Sequence, residues 1–108
     1  MSRAIKFRAW STTSNRMRDW VELMDIGMNA FFDAPYLSFM QFTGLKDKNG
    51  VEIYESDLVS VPDAALLSPV NTVVFERGQF MFVDGGEKWA LGNLHQDDVE
   101  VVGNIYEL

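Results

Sequence analysis

Residues 40–50 read MQFTGLKDKNG, and this stretch decides how the middle of the chain folds. Apolar residues that begin a few positions earlier give residues 38–43 the composition of a β-strand. The Asn49-Gly50 pair is among the strongest hairpin signals because both residues tolerate a positive φ. Residues 51–54 then alternate apolar and polar side chains, which is typical of a returning strand. The stretch therefore predicts two antiparallel strands joined by a tight turn.

The N-terminal segment predicts a second hairpin. Residues 4–10 alternate strictly, with an apolar face opposite a face that carries Lys6, Arg8 and Trp10. A period of two over this length indicates a half-buried strand. After a polar turn, residues 17–24 are predicted to form the returning strand, and we expect the outer face of the hairpin to carry the N-terminal cations.

The second half of the chain has the pattern of short strands separated by turn residues. Arg77-Gly78 predicts a two-residue hairpin turn. Gly103 predicts a bulge in the last strand. The strands are predicted at residues 58–61, 70–76, 79–83, 88–91 and 99–106.

These patterns predict a mainly β fold. Five strands within about fifty residues suit a small barrel, SH3-like over residues 57–106, with the N-terminal hairpin strands packed against it. No segment of about twelve residues has apolar residues at the 3.6-residue period of an amphipathic helix, so no helix is predicted. We predict a single domain, 1–108, with an N-terminal β subdomain at 1–56 and the SH3-like part at 57–108.

Composition and charge narrow the function classes. The 108 residues include no cysteine, which excludes disulfides and thiolate sites and fits a reducing compartment. No signal peptide or run of roughly 20 apolar residues is present, so we predict a cytoplasmic protein without a membrane partner. Residues 1–20 carry five cations and one anion, a net +4, and residues 21–108 carry four and fifteen, a net −11, which sum to −7. A largely acidic surface repels nucleic acid.

Three segments together resemble one protein family. They are IKFRAW at residues 5–10, the central stretch continued to residue 55, and VEVVGNIYE at residues 99–107. Their order is similar to that of the YopX-like proteins of phages and prophages. The resemblance implies a small β-rich product of a mobile element that works in a bacterial cytoplasm, in a family with no established catalytic activity.

Two positions depart from the family pattern. Ser56 stands where the family usually has glycine in a Tyr-Glu-Gly-Asp run, which implies a slightly different local backbone. Ser11 follows a tryptophan where an acidic residue is common. The residues that carry the resemblance have the character of turn and core positions, so the resemblance implies a fold and carries over no catalytic residue.

No catalytic residue, metal site or cofactor is predicted from the residues themselves. His95 is the only histidine, and Asp97, Asp98 and Glu100 lie close to it in the sequence. A histidine with carboxylates can hold a divalent cation. Alternate residues on one polar loop are, however, more typical of a solvated linker between strands, and we favour that interpretation.

The acidic residues in and after the central hairpin are also predicted to have structural roles. A calcium loop ending at Asn49-Gly50 is excluded because Leu45 occupies its first ligand position. Paired carboxylates can catalyse hydrolysis where they converge in a cleft. Charged residues that protect a strand edge are the commoner explanation for the cluster of Glu52, Glu55 and Asp57.

Aromatic and basic residues define the predicted interaction surface. It consists of Lys6, Arg8, Trp10, Trp20 and Trp89. Tryptophan is enriched at binding hot spots. A basic strand that carries an aromatic residue can also stack bases of single-stranded nucleic acid, although the same stems can simply pack over the ring.

Three functions remain open. The first is a non-enzymatic phage or prophage accessory protein that binds a host or phage protein and, in its sharpest form, antagonises a nucleic-acid-handling or defence factor. The alternative is a nucleic-acid-binding regulator that uses the strand with Lys6, Arg8 and Trp10. A second alternative is a structural protein that assembles into a homo-oligomer through exposed strand edges.

Overall fold

The computed structural model describes residues 5–27, 34–61, 69–94 and 98–107. Over these residues the fold is mainly β with one short α-helix, which confirms the predicted class. The strands are β1 (Phe7–Ser11), β2 (Arg16–Arg18), β3 (Leu37–Lys46), β4 (Glu52–Tyr54), β5 (Asp57–Ser60), β6 (Val70–Glu76), β7 (Gln79–Asp84), β8 (Glu87–Ala90) and β9 (Glu100–Asn104). The helix is α1 (Trp20–Ile26), and one 3₁₀ turn covers Leu91–Asn93.

Contacts group the chain into two compact units, Met1–Phe42 and Thr43–Leu108. The division falls inside β3. The single domain predicted over 1–108, with parts at 1–56 and 57–108, stays a prediction, as does the packing of the N-terminal strands on the second part.

The first unit contains an antiparallel sheet in the order β2-β1-β3. Ala9 lies opposite Arg18 on one side and opposite Phe39 on the other. The core of this unit forms on the Ala9 face of β1, where apolar residues from the helix and from β3 meet. Its buried members are Ala9, Leu23, Ala34 and Leu37, and Phe7 and Trp20 pack against them.

The returning strand predicted at residues 17–24 is wrong, because the chain enters α1 after three residues of β2. The Asp19 side chain accepts a hydrogen bond of 2.9 Å from the Glu22 N–H and so caps the helix. Gly27 ends the helix with φ of 93°, a conformation that favours glycine. The Asp-x-x-Glu spacing before Gly27 is a helix signal, but the helix has only seven residues and is too short for a periodicity search.

The second unit contains a five-stranded antiparallel sheet in the order β8-β7-β6-β5-β9, so the five predicted strands are confirmed. The last part of β3 pairs with β4. Closure of these strands into an SH3-like barrel stays a prediction. The core of the unit is made of Ile53, Val59, Val61, Val73, Phe82, Leu91 and Val99.

Two tight turns join neighbouring strands of this sheet, and the one predicted at Arg77-Gly78 is confirmed. Arg77 and Gly78 connect β6 to β7 with φ of 52° and 78°, and Gly85 and Gly86 connect β7 to β8 in the same left-handed region. Two successive positive φ angles define the hairpin turn whose twist matches that of the flanking strands. The register of β5 against β9 shifts between Leu58 and Val59, which places a bulge beside Gly103 as predicted.

Candidate interaction surface

The central stretch forms a turn around a buried carboxylate. Asp47 is fully buried. One of its carboxylate oxygens accepts hydrogen bonds from the N–H groups of Asn49 (2.8 Å) and Val51 (2.9 Å). The other oxygen accepts a hydrogen bond of 2.9 Å from the N–H of Val101 in β9. Asp47 therefore shapes the turn and ties it to a strand 54 residues further along the chain.

These contacts keep Asp47 ionised despite its burial. Burial by itself would raise the pKa of this carboxyl group, because a low-dielectric environment penalises charge. The three backbone N–H donors and, more weakly, the nearby Lys48 outweigh that effect and lower the pKa of Asp47 below its ordinary value. A buried, ionised acid with its donors in place is a structural group.

The hairpin predicted at Asn49-Gly50 is confirmed, and Asp47 accepts hydrogen bonds from the N–H groups of Asn49, Gly50 and Val51 within it. Gly50 adopts a positive φ of 81°, while Asn49 is not among the residues with positive φ. The Gly50 N–H also donates to the Asp47 carbonyl at 3.0 Å. An aspartate two residues before a turn residue is a known Asx-turn signal, so this local part of the arrangement was readable from sequence.

The acidic cluster after this hairpin also contributes to the fold. Asp57 is buried, and its carboxylate accepts a hydrogen bond of 2.8 Å from the Tyr54 N–H. The Tyr54 hydroxyl lies 3.4 Å from the Glu52 carboxylate. Asp57 therefore holds the β4–β5 turn and is not open to a substrate, while Glu52 contacts a residue of its own strand.

Ser56 occupies this turn with φ of 70°, in the left-handed region that glycine adopts most easily. Its N–H donates to the Val73 carbonyl at 2.8 Å, and its carbonyl accepts from the Ile105 N–H at 3.0 Å. The neighbouring strands therefore hold the conformation. Ser56 thus has a conformation that the glycine implied by the resemblance would adopt without strain.

The predicted basic strip on β1 packs over apolar side chains of β3. Lys6 lies over the Phe42 ring, with its Nζ atom 4.7 Å from the ring centroid. The Arg8 Nε atom lies 3.4 Å from the Met40 sulfur. Both cations are half-buried, while Met40 and Phe42 are buried. These side chains therefore cover a β3 surface, whereas their packing over the Trp10 ring stays a prediction.

The cations of β2 lie on the other face of the sheet. Arg18 is opposite Ala9, so both side chains are on the face that carries the core of the first unit. Arg16 forms two hydrogen bonds of 2.8 and 3.0 Å with Glu22 of α1, and Arg18 approaches the same carboxylate at 3.6 Å. The prediction that one outer face collects the N-terminal cations is therefore wrong for Arg16 and Arg18, because α1 places Glu22 beside them.

Of the three tryptophans in the predicted interaction surface, two belong to the first unit and are half-buried. The Trp20 ring lies 6.1 Å from the Phe7 ring and packs against the core. Trp10 lies opposite Met17 in β2 and Ser38 in β3. Trp20 is therefore a packing residue, and Trp10 shares its sheet face with Lys6 and Arg8.

Trp89 differs from the other two because 46% of its surface is exposed. It lies in β8 opposite the buried Phe82. Phe75 and Phe80 lie opposite each other in β6 and β7 with ring centroids 4.8 Å apart, and Phe75 is 42% exposed. Side chains two residues apart on a strand share a face, so Phe80, Phe82 and Trp89 lie on one face of the sheet together with Phe75. We name Phe75, Phe80 and Trp89 the aromatic corner.

The strand that carries Trp89 is the outermost strand at one side of the five-stranded sheet. Glu87 shares the Trp89 face by alternation and is exposed. Lys88 points to the opposite face, where its amino group lies 2.7 Å from the Glu76 carboxylate. The aromatic corner is thus bordered by an exposed carboxylate and by a strand edge that no other described strand pairs with. Sequence reasoning identified Trp89 but missed Phe75, whose exposure depends on its place near the end of β6.

A small apolar cavity lies elsewhere in the second unit. Its volume is about 70 Å³, and its walls are made by Leu45, Lys46, Ile53, Leu91, Leu94 and Val99. Pockets that enclose a drug-sized ligand have volumes of about 300–1,000 Å³. This cavity is too small for such a ligand.

The predicted polar loop around His95 lies largely outside the described residues, because His95 and Asp97 are not among them. Across the ranges that the structure describes, no three His, Cys, Asp or Glu side chains are placed so that they could hold a metal ion together. Across the same ranges no helix is long and apolar enough to cross a membrane.

Comparisons with known proteins establish the fold and the family. One similar solved structure is the crystal structure of protein EF1440 from Enterococcus faecalis, with a TM-score of 0.68 and 24% sequence identity over 98% of this chain and 96% of that chain. This likeness shows a shared fold. No curated protein matches the sequence significantly. The model of the YopX protein family matches residues 27–108, which include the Asp47 turn and the aromatic corner, and the chain therefore belongs to the YopX family.

Proposed function

We propose that this YopX-family chain is a non-enzymatic phage or prophage accessory protein that binds a host or phage protein in the bacterial cytoplasm through its aromatic corner. The observation that carries the proposal is the exposure of Trp89 and Phe75 on one sheet face, next to the outermost of the strands that the structure describes in this sheet. Exposed tryptophan with neighbouring aromatic rings is characteristic of binding hot spots. Aromatic residues contribute large contact areas at low entropic cost.

The charge of the second unit favours a basic partner surface. Residues 43–108 contain 12 Asp or Glu and 4 Lys or Arg, a net charge of −8, while residues 1–42 contain 4 and 5, a net +1. A strongly acidic protein surface can compete with nucleic acid for a basic groove, and it raises the rate at which the protein associates with a basic partner. The finer proposal is therefore that the partner is a nucleic-acid-handling or defence factor, which the chain antagonises.

The nucleic-acid alternative has less support from the contacts of the basic residues. Lys6 and Arg8 pack on Phe42 and Met40, and Arg16 forms a bidentate pair with Glu22. Binding to phosphates would have to replace these contacts. A steep loss of DNA or RNA affinity with added salt, reduced by Lys6→Gln, would nevertheless favour this alternative over ours.

Self-association is the second candidate, and an observation on α1 favours it. Val21 and Met24 are 69% and 53% exposed and lie three residues apart, so they form an apolar patch on the helix surface. Light scattering over a range of concentrations tests this candidate. A dimer that dissociates in the Val21→Ser, Met24→Ser double variant would support it.

The test of the proposed function is affinity capture from a lysate of the bacterium that carries the gene, followed by mass spectrometry. The bait is compared with the Trp89→Ala, Phe75→Ala double variant and with a control, Val21→Ala, Met24→Ala, that removes two even more exposed apolar side chains from α1. We expect a specific partner that the control retains and the double variant loses. Equal capture by all three baits would contradict binding through the aromatic corner.

A further inference from the structure

The outer edge of β8 has backbone groups available for another strand. β8 pairs with β7 alone within the residues that the structure describes. The Gly85-Gly86 turn has two residues, so the flanking Asp84 and Glu87 form the first hydrogen-bonded pair of this hairpin. Pairing in an antiparallel ladder alternates, so the N–H and C=O groups of Lys88 and the N–H of Ala90 point away from β7. The Ala90 carbonyl is not available, because Ala90 is the N-cap of the 3₁₀ turn that follows.

The side chains beside this edge suit a cation. Glu87 and Trp89 are two residues apart on one face, about 7 Å between their Cα atoms. Both are exposed, and Glu87 forms no ion pair with the residues that the structure describes. A cation placed over the tryptophan ring gains a cation–π interaction and can pair with the carboxylate at the same time. Lys88 does not supply it, because it pairs with Glu76 on the opposite face.

We propose that β8 receives an extended segment of the partner protein as an added strand, and that an Arg or Lys of this segment lies on the Trp89 ring beside Glu87. The inference rests on the proposed protein-binding function and specifies the partner by its chemistry. Main-chain hydrogen bonds to Lys88 and Ala90 provide the affinity in this mode of recognition, and the side-chain pocket provides the specificity. The net charge of −8 on residues 43–108 attracts a basic segment.

A second copy of the chain is a competing occupant of the same edge. Exposed strand edges are templates for self-pairing. Four residues with one acid and one base give little complementarity for a symmetric pair, whereas the segment of a partner can place its cation freely. Self-pairing through β8 would appear as dimerisation that Trp89→Ala alters, without any preference for a basic peptide.

The experiment is a titration of the ¹⁵N-labelled full chain with a capped peptide of alternating valine and threonine that carries one central arginine, beside the same peptide with glutamine in its place. We expect the amide signals of Lys88 and Ala90 and the indole N–H of Trp89 to shift in the arginine titration, with an affinity at least threefold higher than that of the glutamine peptide. Amide shifts at these positions report strand addition, whereas a purely side-chain contact would move only the indole.

Three variants complete the test. Glu87→Gln should reduce the preference for arginine over glutamine to about onefold to twofold, and Trp89→Leu should remove most of it. Asp25→Asn changes an exposed carboxylate on α1 and should leave the preference unchanged. Equal affinity of the two peptides for the unmodified chain, or shifts that avoid β8, would overturn the inference. Such a titration result would leave the proposed function intact if the Trp89→Ala, Phe75→Ala variant still fails to capture the partner from the lysate. In that case only the inference of strand addition is overturned.

Discussion

Asp47 and Glu87 are both acidic residues beside tight turns of the second unit, yet their surroundings are opposite. The Asp47 carboxylate is fully buried and accepts three backbone hydrogen bonds, one of them from β9. The Glu87 carboxylate is exposed beside Trp89 on the outermost strand of the sheet. The difference teaches that the most recognisable motif of this chain stabilises its fold, while the exposed side chains of β8 belong to a segment with no distinctive motif.

The largest expected difference between the two acidic residues is in the stability lost when each is removed. Asp47→Ala leaves three N–H groups without their acceptor, and we expect it to lower the free energy of unfolding by about 3 kcal/mol. Urea denaturation followed by circular dichroism measures the change. Glu87→Ala is the matched control and should change stability by less than about 0.5 kcal/mol. Similar losses in the two variants would show that the Asp47 contacts contribute little.

Acidification should remove part of the same stabilisation. The pKa of Asp47 is lowered in the folded state, so the unfolded chain binds its proton at a higher pH than the folded chain does. The stabilisation is therefore complete above the unfolded pKa of about 4 and is lost as pH falls through the lower, folded pKa. Urea midpoints measured between pH 7 and pH 3 should fall less steeply in Asp47→Asn than in the unmodified chain.

Two exposed ion pairs should also lose their stabilising effect as the pH falls, and they therefore contribute to the pH dependence that this experiment measures. The Arg16 hydrogen bonds lower the pKa of Glu22, and the Lys88 hydrogen bonds lower the pKa of Glu76. Added salt screens these surface pairs but affects the buried Asp47 much less. A pH dependence that disappears in 1 M salt would therefore assign the effect to the surface pairs and contradict the role of Asp47.

The exposed side of the comparison is tested by Trp89→Ala. We expect this change to weaken partner binding by about 2 kcal/mol, roughly 30-fold, as is common for a hot-spot tryptophan. The free energy of unfolding should change far less than in Asp47→Ala, because 46% of the Trp89 surface is already exposed in the folded chain. Calorimetric titration and urea denaturation of one protein sample give both numbers. A stability loss as large as that of Asp47→Ala would make Trp89 a core residue.

The smallest effect concerns the turn that follows β4. Ser56→Gly should raise the free energy of unfolding by up to about 1 kcal/mol, because glycine adopts the observed φ of 70° without the steric cost of a Cβ atom. Ser60→Gly in β5 is the control and should destabilise by about 0.5–1 kcal/mol, since a strand residue gains nothing from glycine. Destabilisation by both changes would mean that the Ser56 side chain contributes more than its backbone strain costs.

The sequence predicted those parts of the fold that depend on local signals. The Arg77-Gly78 turn and the strands around it have clear composition and spacing, and the structure places them as expected. The helix α1 was missed because its signals are a cap at Asp19 and a stop at Gly27 with only seven residues between. Its absence from the prediction also misplaced Arg16 and Arg18, since their partner Glu22 lies on that helix.

The candidate site was harder to predict because exposure is a property of the folded chain. Trp10, Trp20 and Trp89 look alike in sequence, and only the sheet order and register separate the exposed Trp89 from the other two. The contact between Asp47 and Val101 spans 54 residues, and no local pattern announces it. The position of β8 at the edge of the sheet was likewise inaccessible without the topology.

Site-specific photo-crosslinking in the living bacterium tests the central claim most directly, because it captures whichever protein lies against the chosen residue. Benzoylphenylalanine replaces Trp89 in one sample and Trp10 in the other, and adducts are identified by mass spectrometry after irradiation. We predict that position 89 yields a defined protein adduct and that position 10 does not. An adduct from position 10 alone, with none from position 89, would contradict binding at the aromatic corner and restore the basic strand of β1 as the interaction surface.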